Sequence, residues 1–328
     1  MSWRFCLVGT LSLLLFACLR KDKTAPATPC QEFIFLGHPY DWYTENSLDP
    51  RLELLDFSRY AGVWLGGDVC GRTSKSEATL QYLDHIFGLT QQTTHWAWGN
   101  HDLLEGDEAL LRQATGRGDY YTTRQDGLQI IVLNTNLFWH NAWTPPATDC
   151  ARKAAQIQWL TTVLDTIKSA SQLVILHHHG LLNEDKRNFQ GDTLRPDNVT
   201  GMPVRPDCRA TGDFSAEIRP SLVQLQQRGI QVTLVGGDVG MNSKGYQFTT
   251  PEGIHLLGSG INNSLDMADP APYITNFHPD SVLVFRYCPT AGSLDWHFLR
   301  LRDVVEEQLS PAARSQLSDR VKVLLEQF

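Results

Sequence analysis

Short apolar runs, each followed by glycine or a polar residue, alternate with stretches of helical spacing from residue 32 onward. Such runs are typical of buried β-strands, and their alternation with helices indicates an α/β or mixed sandwich fold. Strands are predicted at 33–36, 62–65, 94–98, 120–121, 129–133, 173–176, 231–235, 254–257, 282–287 and 294–301. The Asp126-Gly127 pair predicts a hairpin between the runs at 120–121 and 129–133.

Helical spacing predicts helices at 154–167, 221–227 and 311–328. Ser74 and Glu77 match the capping-box pattern in front of a further helix. The stretch at 183–213 is long, polar and rich in glycine and proline, which is typical of a functional loop.

The first residues have the pattern of an export signal. Arg4 precedes an apolar segment at 5–15 that is too short to span a bilayer, and Leu15-Phe16-Ala17-Cys18 resembles a bacterial lipobox. We therefore expect a membrane-anchored lipoprotein of the cell envelope, periplasmic or on the outer surface, attached only through Cys18; cleavage without lipid is the alternative. The predicted division of the chain is a signal peptide at 1–17, a lipid-anchored tether at 18–30, a main domain at 31–302 and a C-terminal helix at 303–328.

Charge and cysteine content exclude two classes of protein. The 328-residue chain has a formal net charge of -8 and no cluster of basic residues, so no nucleic-acid surface is expected. The cysteines beyond the leader and Cys18 are Cys30, Cys70, Cys150, Cys208 and Cys288. Their odd number and the lack of a C-x-x-C motif argue against a zinc cage. One or two disulfides are expected, with Cys150 and Cys208 as a candidate pair.

Metal-capable side chains follow five of the apolar runs. They are His38 with Tyr40 and Asp41, then Asp68, Asn100 with His101, His177 with His178, and Asp238. Ligands collect at the carboxyl ends of strands in sheets of this kind, and the neighbouring glycines admit close approach of the backbone. The pattern predicts that these residues converge on one metal site.

These motifs resemble those of the calcineurin-like metallophosphoesterase superfamily, which includes purple acid phosphatases and cyclic-nucleotide phosphodiesterases. Gly67-Asp68, Gly99-Asn100-His101-Asp102 and Leu176-His177-His178 carry the resemblance, which covers roughly residues 33–300. The resemblance implies a four-layer α/β/β/α sandwich of two mixed sheets, so 31–302 would be a metallophosphoesterase domain.

The resemblance also implies two divalent or trivalent metal ions, for which Mn, Fe and Zn are the candidates. Asp68 would bridge both ions, because a carboxylate can bind two ions whereas an imidazole nitrogen binds one. Asn100 and His177 would hold the second ion, and His101 would stabilise the phosphoryl oxygens or protonate the leaving group. His178, with His179, would either line the phosphate pocket or support the ligands from outside. The expected catalytic residues are thus Asp68, His101 and His178.

The sequence departs from the family pattern at both ends. His38 stands where the family has aspartate and Tyr40 where it has histidine, while Asp238 replaces the first histidine of the last motif and no residue replaces the second. In this alignment the first ion would bind Asp68, His38 and Tyr40, and the second would bind Asp68, Asn100, His177 and Asp238. A competing alignment makes His38 and Asp41 the ligands and leaves Tyr40 packed or in contact with the substrate.

The expected activity is hydrolysis of a small-molecule phosphoester, mono- or diester, by metal-activated water. The site would hold either two ions or one tightly bound ion. The alternative is a catalytically decayed, surface-anchored binding module on the same fold, which the loss of the last histidine motif favours. Trp42 and Trp96, close to strand ends, are expected in the core rather than in contact with substrate.

Overall fold

The computed structural model describes residues 28–138, 147–182, 214–238, 244–261, 263 and 279–327. The predicted signal peptide, Cys18 and the loop at 183–213 lie outside these residues. The strands of the described part are β1 (Gln31–Leu36), β2 (Gly62–Leu65), β3 (His95–Trp96), β4 (Tyr121–Gln125), β5 (Leu128–Val132), β6 (Gln172–His177), β7 (Gln231–Gly236), β8 (Gly245–Thr249), β9 (His255–Ser259), β10 (Ser281–Cys288) and β11 (Ser293–Arg300). The α-helices are α1 (Glu77–Phe87), α2 (Asn100–Leu103), α3 (Glu108–Thr115), α4 (Ala147–Thr166), α5 (Phe214–Gln227), α6 (Leu301–Gln308), α7 (Pro311–Ser315) and α8 (Asp319–Gln327).

The strands form two mixed sheets. The first has the order β11-β10-β1-β2-β3 and the second has the order β4-β5-β6-β7-β9-β8. Strand β1 is parallel to β2 and antiparallel to β10, so Ile34 lies between Val63 and Val284. Strands β5, β6, β7 and β9 are parallel, and β4 and β8 are antiparallel edge strands.

Side chains alternate between the two faces of each sheet, which gives the protein three apolar cores. Phe35 of β1 and Leu176 of β6 belong to the core between the sheets. Ile34 faces the helices α1, α3, α6 and α8, and Ile175 faces α4 and α5. The resulting order of layers is helix, sheet, sheet, helix, and the predicted four-layer α/β/β/α sandwich is confirmed.

Several local predictions are corrected by the structure. Helix α1 begins after Ser76, and the hydroxyl of Ser74 instead donates to the Asp102 carbonyl at 2.6 Å, so Ser74 does not cap the helix. The C-terminal helix predicted at 303–328, with helical spacing from 311, consists of three helices, α6, α7 and α8, and α6 follows β11 directly. Strand β3 is shorter than the predicted 94–98 because the chain turns after Ala97. Gly99 then caps α2, which begins at Asn100.

A disulfide between Cys30 and Cys288 joins the start of β1 to the end of β10. Cys70 is buried and free. Cys150 is disulfide-bonded, and Cys208, its predicted partner, lies outside the described residues. Within the described ranges, no helix has the length and apolar character needed to cross a bilayer.

Candidate metal centre

Four side chains from the carboxyl ends of β1, β2, β6 and β7 lie close together: His38, Asp68, His178 and Asp238. The Nε2 atom of His38 lies 3.1 Å from Oδ1 of Asp238 and 3.6 Å from Oδ2 of Asp68. Nε2 of His178 lies 3.4 Å from the same Asp68 oxygen. Two overlapping groups, His38-Asp68-His178 and His178-His179-Asp238, each have their ligand atoms within 4.8 Å of one another. The site therefore joins the two sheets.

The backbone around the cluster is unusually close-packed. A Cβ atom on Gly237 would lie 1.8 Å from the carbonyl oxygen of Gly66, so the loops after β2 and β7 touch through two glycines. His38 and Asp68 have φ angles of 49° and 53°, in a left-handed region that residues other than glycine rarely adopt. Because such a conformation must be held by its surroundings, the orientation of both side chains depends on the packing of these loops.

The carboxylate of Asp102 holds the loops after β2 and β3 together. It is fully buried and accepts five hydrogen bonds. The donors are the backbone N–H groups of Asp68 (2.9 Å), Val69 (2.9 Å) and Gly99 (2.8 Å), the indole N–H of Trp96 (3.1 Å) and the hydroxyl of Thr73 (2.6 Å). Burial and the charge of Asp68 raise the pKa of Asp102 above its usual value. The five donors nevertheless favour the ionised carboxylate, because an ionised carboxylate only accepts hydrogen bonds.

Asp68 contacts both His38 and His178 in the cluster. Its Oδ1 accepts the backbone N–H of His101 at 2.8 Å. Burial opposes ionisation, yet the neighbouring His178 and His38 outweigh it and hold the pKa of Asp68 well below its usual range. Asp238 behaves likewise: burial is overcome by hydrogen bonds from His179 and His38, and its pKa lies far below the usual range. Both carboxylates are therefore ionised.

His178 presents one ring nitrogen to these carboxylates. Its Nδ1 lies 2.7 Å from the carbonyl of Gly66, and because a carbonyl only accepts, Nδ1 carries the hydrogen. Its Nε2 is buried and has no hydrogen-bond partner among the described residues. Burial lowers the pKa of His178, but the charge of Asp68 dominates and raises it to about 9. A buried nitrogen that faces two carboxylates and makes no hydrogen bond fits a metal ligand.

His179 supports Asp238 from the other side. Its Nδ1 lies 3.2 Å from Oδ2 of Asp238, while Oδ1 of the same carboxylate faces His38. Burial and the adjacent His178 lower the pKa of His179. The neutral imidazole can therefore donate one hydrogen bond that fixes the orientation of Asp238, which is the second of the two roles expected for this residue.

His177, expected as a ligand of the second ion, lies apart from this cluster. It belongs to the face of β6 opposite to that of Leu176 and His178, because side chains alternate along a strand. Its ring lines a small cavity with Leu234, Tyr246 and Leu257, and its Nδ1 donates to the carbonyl of His179 at 2.7 Å. Burial lowers the pKa of His177 to about 3. His178, and not His177, lies in the cluster with His38 and Asp68.

Tyr40 borders the cluster and Asp41 does not belong to it. The Tyr40 ring lies 5.7 Å from that of His38 and 5.4 Å from that of His101, onto which it stacks. Burial, together with Asp68 and Asp238, raises the pKa of Tyr40, so without a cation it is a neutral phenol. Both carboxylate oxygens of Asp41 are bound by Arg320, so the competing alignment with Asp41 as a ligand is not what the structure shows.

Two residues of the Gly99-Asn100-His101-Asp102 motif, Asn100 and His101, form the rim of the site. Asn100 is the first residue of α2 and is partly exposed, as is His101. Nδ1 of His101 donates to the carbonyl of Gly71 at 3.0 Å, which leaves Nε2 as the nitrogen that can exchange a proton.

Trp42 is 42% exposed and its ring lies 5.1 Å from that of Tyr40, so the expectation that it belongs to the core is wrong. Trp96, in contrast, is buried as expected.

Sequence reasoning missed two residues that organise this site. Asp102 stands inside the third motif, and its spacing of one residue from His101 gave no sign that it accepts five hydrogen bonds. Arg320 lies in α8, far along the chain, and no local pattern connects it with Asp41. Only three-dimensional contacts reveal either role.

No protein-family model matches the sequence, and no curated protein matches it. Several solved structures are similar in shape, two of which are described here. A dimetal phosphatase from Danio rerio (LOC 393393) has a TM-score of 0.46 and 13% identity, over 78% of this chain and 95% of that chain. GAP50, the anchor in the inner membrane complex of Plasmodium, has a TM-score of 0.43 and 9% identity, over 83% of this chain and 89% of that chain.

Proposed function

We propose that this protein is a metal-dependent phosphoesterase that holds one cation tightly between His38, Asp68, His178 and Asp238. The observation that carries the proposal is the spacing of the ligand atoms. Those of His38, Asp68 and His178 all lie within 4.8 Å of one another, with Oδ2 of Asp68 3.6 and 3.4 Å from the two imidazoles, and Oδ1 of Asp238 lies 3.1 Å from Nε2 of His38. Ligand atoms at the corners of a tetrahedron around Zn²⁺ are about 3.3 Å apart for metal bonds of about 2.0–2.1 Å. The buried Nε2 of His178, which makes no hydrogen bond to a described residue, supports the same conclusion.

One tightly bound ion is favoured over two. The second ion of the family pattern depends on His177, and that ring faces an apolar cavity on the other side of β6. Asp68 and Asn100 would remain for a second ion, which is too few for tight binding without ligands from solvent or substrate. Two imidazoles and two carboxylates suit Zn, Mn or Fe.

The residues around the cluster suit hydrolysis of a phosphoester. A bound divalent cation lowers the pKa of water and polarises the phosphoryl oxygens. We propose that His101 donates a proton from Nε2 to the leaving oxygen, because Nδ1 is already engaged with Gly71. His101 is placed for this by the bond from its backbone N–H to Asp68. The cation and the acid are thus connected through one aspartate.

The substrate that we propose is a small phosphoester whose alcohol has an apolar or planar part. The support is Trp42, which is 42% exposed beside Tyr40, itself stacked on His101. An exposed indole at this position would cover the leaving group while the phosphate lies at the cation. Both mono- and diesters fit this arrangement.

We also propose that the protein is exported and anchored through a lipid at Cys18. The pattern at 15–18 is the basis of this proposal, and the Cys30–Cys288 disulfide supports export because disulfides persist in oxidising compartments. Palmitate labelling of cells that express the protein or a Cys18→Ser variant tests the anchor. Equal labelling of both variants would contradict it.

The activity is tested by measuring bound metal and turnover in the same samples. Elemental analysis of the protein lacking its leader should give one equivalent of Zn, Mn or Fe, with hydrolysis of aryl phosphate mono- or diesters that a chelator abolishes. Asp68→Asn should lose both metal and turnover. Glu105→Gln, an exposed carboxylate close to the same rim, is the matched control and should keep both.

The same experiment separates the alternatives. Two equivalents of metal would contradict the single-ion site and support a dinuclear one. Protein that stays metal-free and inert after addition of Zn, Mn and Fe would overturn the proposal in favour of a binding module on this fold.

A further inference from the structure

The loop that carries His38 is a closed structure, here named the His38 loop and comprising residues 38–49. The backbone N–H of Asp49 donates to the carbonyl of Pro39 at 2.8 Å, and that of Asp41 donates to Ser47 at 3.0 Å. Tyr40 and Leu48 form an isolated antiparallel bridge. The loop is therefore closed by its own backbone contacts, and its position sets the positions of His38 and Tyr40.

Helix α8 binds the far end of the His38 loop through hydrogen bonds from Arg320 to Asp41. The guanidinium donates from Nη1 to Oδ2 of Asp41 at 2.7 Å and from Nη2 to Oδ1 at 2.5 Å, a bidentate pair. Asp41 is 3% exposed, so this pair is shielded from water on the carboxylate side. The same guanidinium lies 5.0 Å from the ring of Tyr43, and Asp41 also accepts the Tyr43 N–H at 2.9 Å. Three groups of the loop are thus ordered around one arginine.

Helix α8 contacts the base of the loop at a second point, one helical turn later. The fully buried Arg51 donates to the carbonyl of Leu324 at 3.5 Å and to Oδ2 of Asp49 at 2.7 Å. It also donates to Asp280, just before β10. Residues 320 and 324 lie on the same face of a helix because they are four apart. One face of α8 therefore holds both the tip and the base of the His38 loop.

We infer that α8 positions the His38 loop for metal binding and that Arg320 is a positioning residue of the site. The left-handed backbone of His38 has to be maintained by contacts elsewhere, and this loop has no regular secondary structure apart from one bridge. Without Arg320, the buried Asp41 loses both hydrogen bonds from the guanidinium and keeps those from Tyr43 and Asn263, both to Oδ1. The loop would then populate other conformations, and the apparent metal affinity would fall with the populated fraction of the competent one.

The test compares Arg320→Ala with Arg320→Lys and with Lys322→Ala. Lys322 lies on the same helix and pairs with Asp319, so its variant is the matched control. The first readout is amide hydrogen exchange of peptides from 38–49 in metal-free protein. The second is Zn²⁺ affinity by competition with a chelator. Arg320→Ala should exchange about tenfold faster in this loop and bind Zn²⁺ about tenfold more weakly, as loss of a supporting partner typically does.

The controls keep the outcome unambiguous. Arg320→Lys should give an intermediate result because lysine cannot make the bidentate pair, and Lys322→Ala should match the wild type. Unchanged exchange at 38–49 in Arg320→Ala, or acceleration no greater than in the rest of the protein, would overturn the inference. The affinity part depends on the proposed metal site; if the wild type binds no metal, that proposal fails and the exchange data still decide the role of α8.

Discussion

The carboxylate of Asp102 accepts the backbone N–H of Asp68 at 2.9 Å and thereby ties the loop after β2 to the loop after β3. Gly99 binds the same oxygen at 2.8 Å. The residue that we place at the cation is therefore held at its backbone by a carboxylate whose oxygens are occupied by five hydrogen-bond donors.

Replacing this carboxylate by an amide tests its role. In Asp102→Asn, one oxygen becomes an N–H₂ group that faces backbone donors, so at least one buried donor loses its acceptor. We expect the free energy of unfolding to fall by about 2–3 kcal/mol in urea titrations. Zn²⁺ affinity should fall with it, because Asp68 is no longer fixed. Asp107→Asn, an exposed helix cap, should cost about 1 kcal/mol at most and keep the metal affinity.

The roles of the adjacent histidines can be separated by matched variants. His178→Asn removes a proposed ligand. Loss of a supporting residue costs about 10–100-fold in metal affinity, and we expect the loss of Zn²⁺ affinity in this variant to be larger. His177→Asn should lower the melting temperature, since it replaces a ring that lines a cavity, but affinity should stay within about threefold. Loss of affinity in His177→Asn comparable with that in His178→Asn would restore His177 as a ligand.

The glycine contact between the two sheets tolerates no side chain. A Cβ on Gly237 would lie 1.8 Å from Gly66 O, so Gly237→Ala should destabilise the protein by about 1–3 kcal/mol and weaken metal binding by moving Asp238. Gly118→Ala is the control, because the nearest atom to its Cβ is the carbonyl oxygen of Tyr120 at 3.5 Å. Urea titrations of both variants measure the difference, and equal stabilities would contradict the close contact.

Stability should depend on pH through His95, which lies away from the cluster. Burial, with a smaller contribution from Arg117, lowers the pKa of His95 to about 3. The unfolded chain binds a proton at about pH 6.5 and the folded one only near 3, so stability is lost as the pH falls through this interval. In His95→Gln, the loss of stability between pH 7 and pH 5 should be smaller by up to about 2 kcal/mol. His85→Gln, at an exposed site on α1, should keep the wild-type dependence.

Much of the fold could be predicted because the signals for it are local. The apolar runs at 33–36, 62–65, 173–176 and 231–235 are strands β1, β2, β6 and β7. The hairpin at Asp126-Gly127 is also confirmed: both residues have positive φ, as the favoured two-residue turn requires. Helix α6 was predicted only as part of one helix at 303–328, and its start was missed because it follows β11 without a glycine or proline to separate them. The break between α7 and α8 was missed because their apolar residues continue the same helical spacing.

The site could be predicted only as far as strand ends specify it. Asp68, His38 and Asp238 meet because each of them follows a glycine at the end of a strand that belongs to a parallel pair. The choice between His177 and His178 depends on which face of β6 is turned toward the other sheet. All the residues of β6 are buried, so no alternation in the sequence reveals the face. The contact of Arg320 with Asp41 spans 279 residues and has no local signal.

The position of β1 in its sheet has a consequence for how the protein is assembled. The second sheet uses one continuous stretch of chain, from β4 to β9, whereas β1 lies in the middle of the first sheet and pairs with β10. Cys30 and Cys288, which mark this pairing, are 258 residues apart. Contacts between such distant segments form slowly, so we expect the second sheet to fold during synthesis and the first to close only after the chain is nearly complete. The cation would then enter an already folded protein and could not guide its folding.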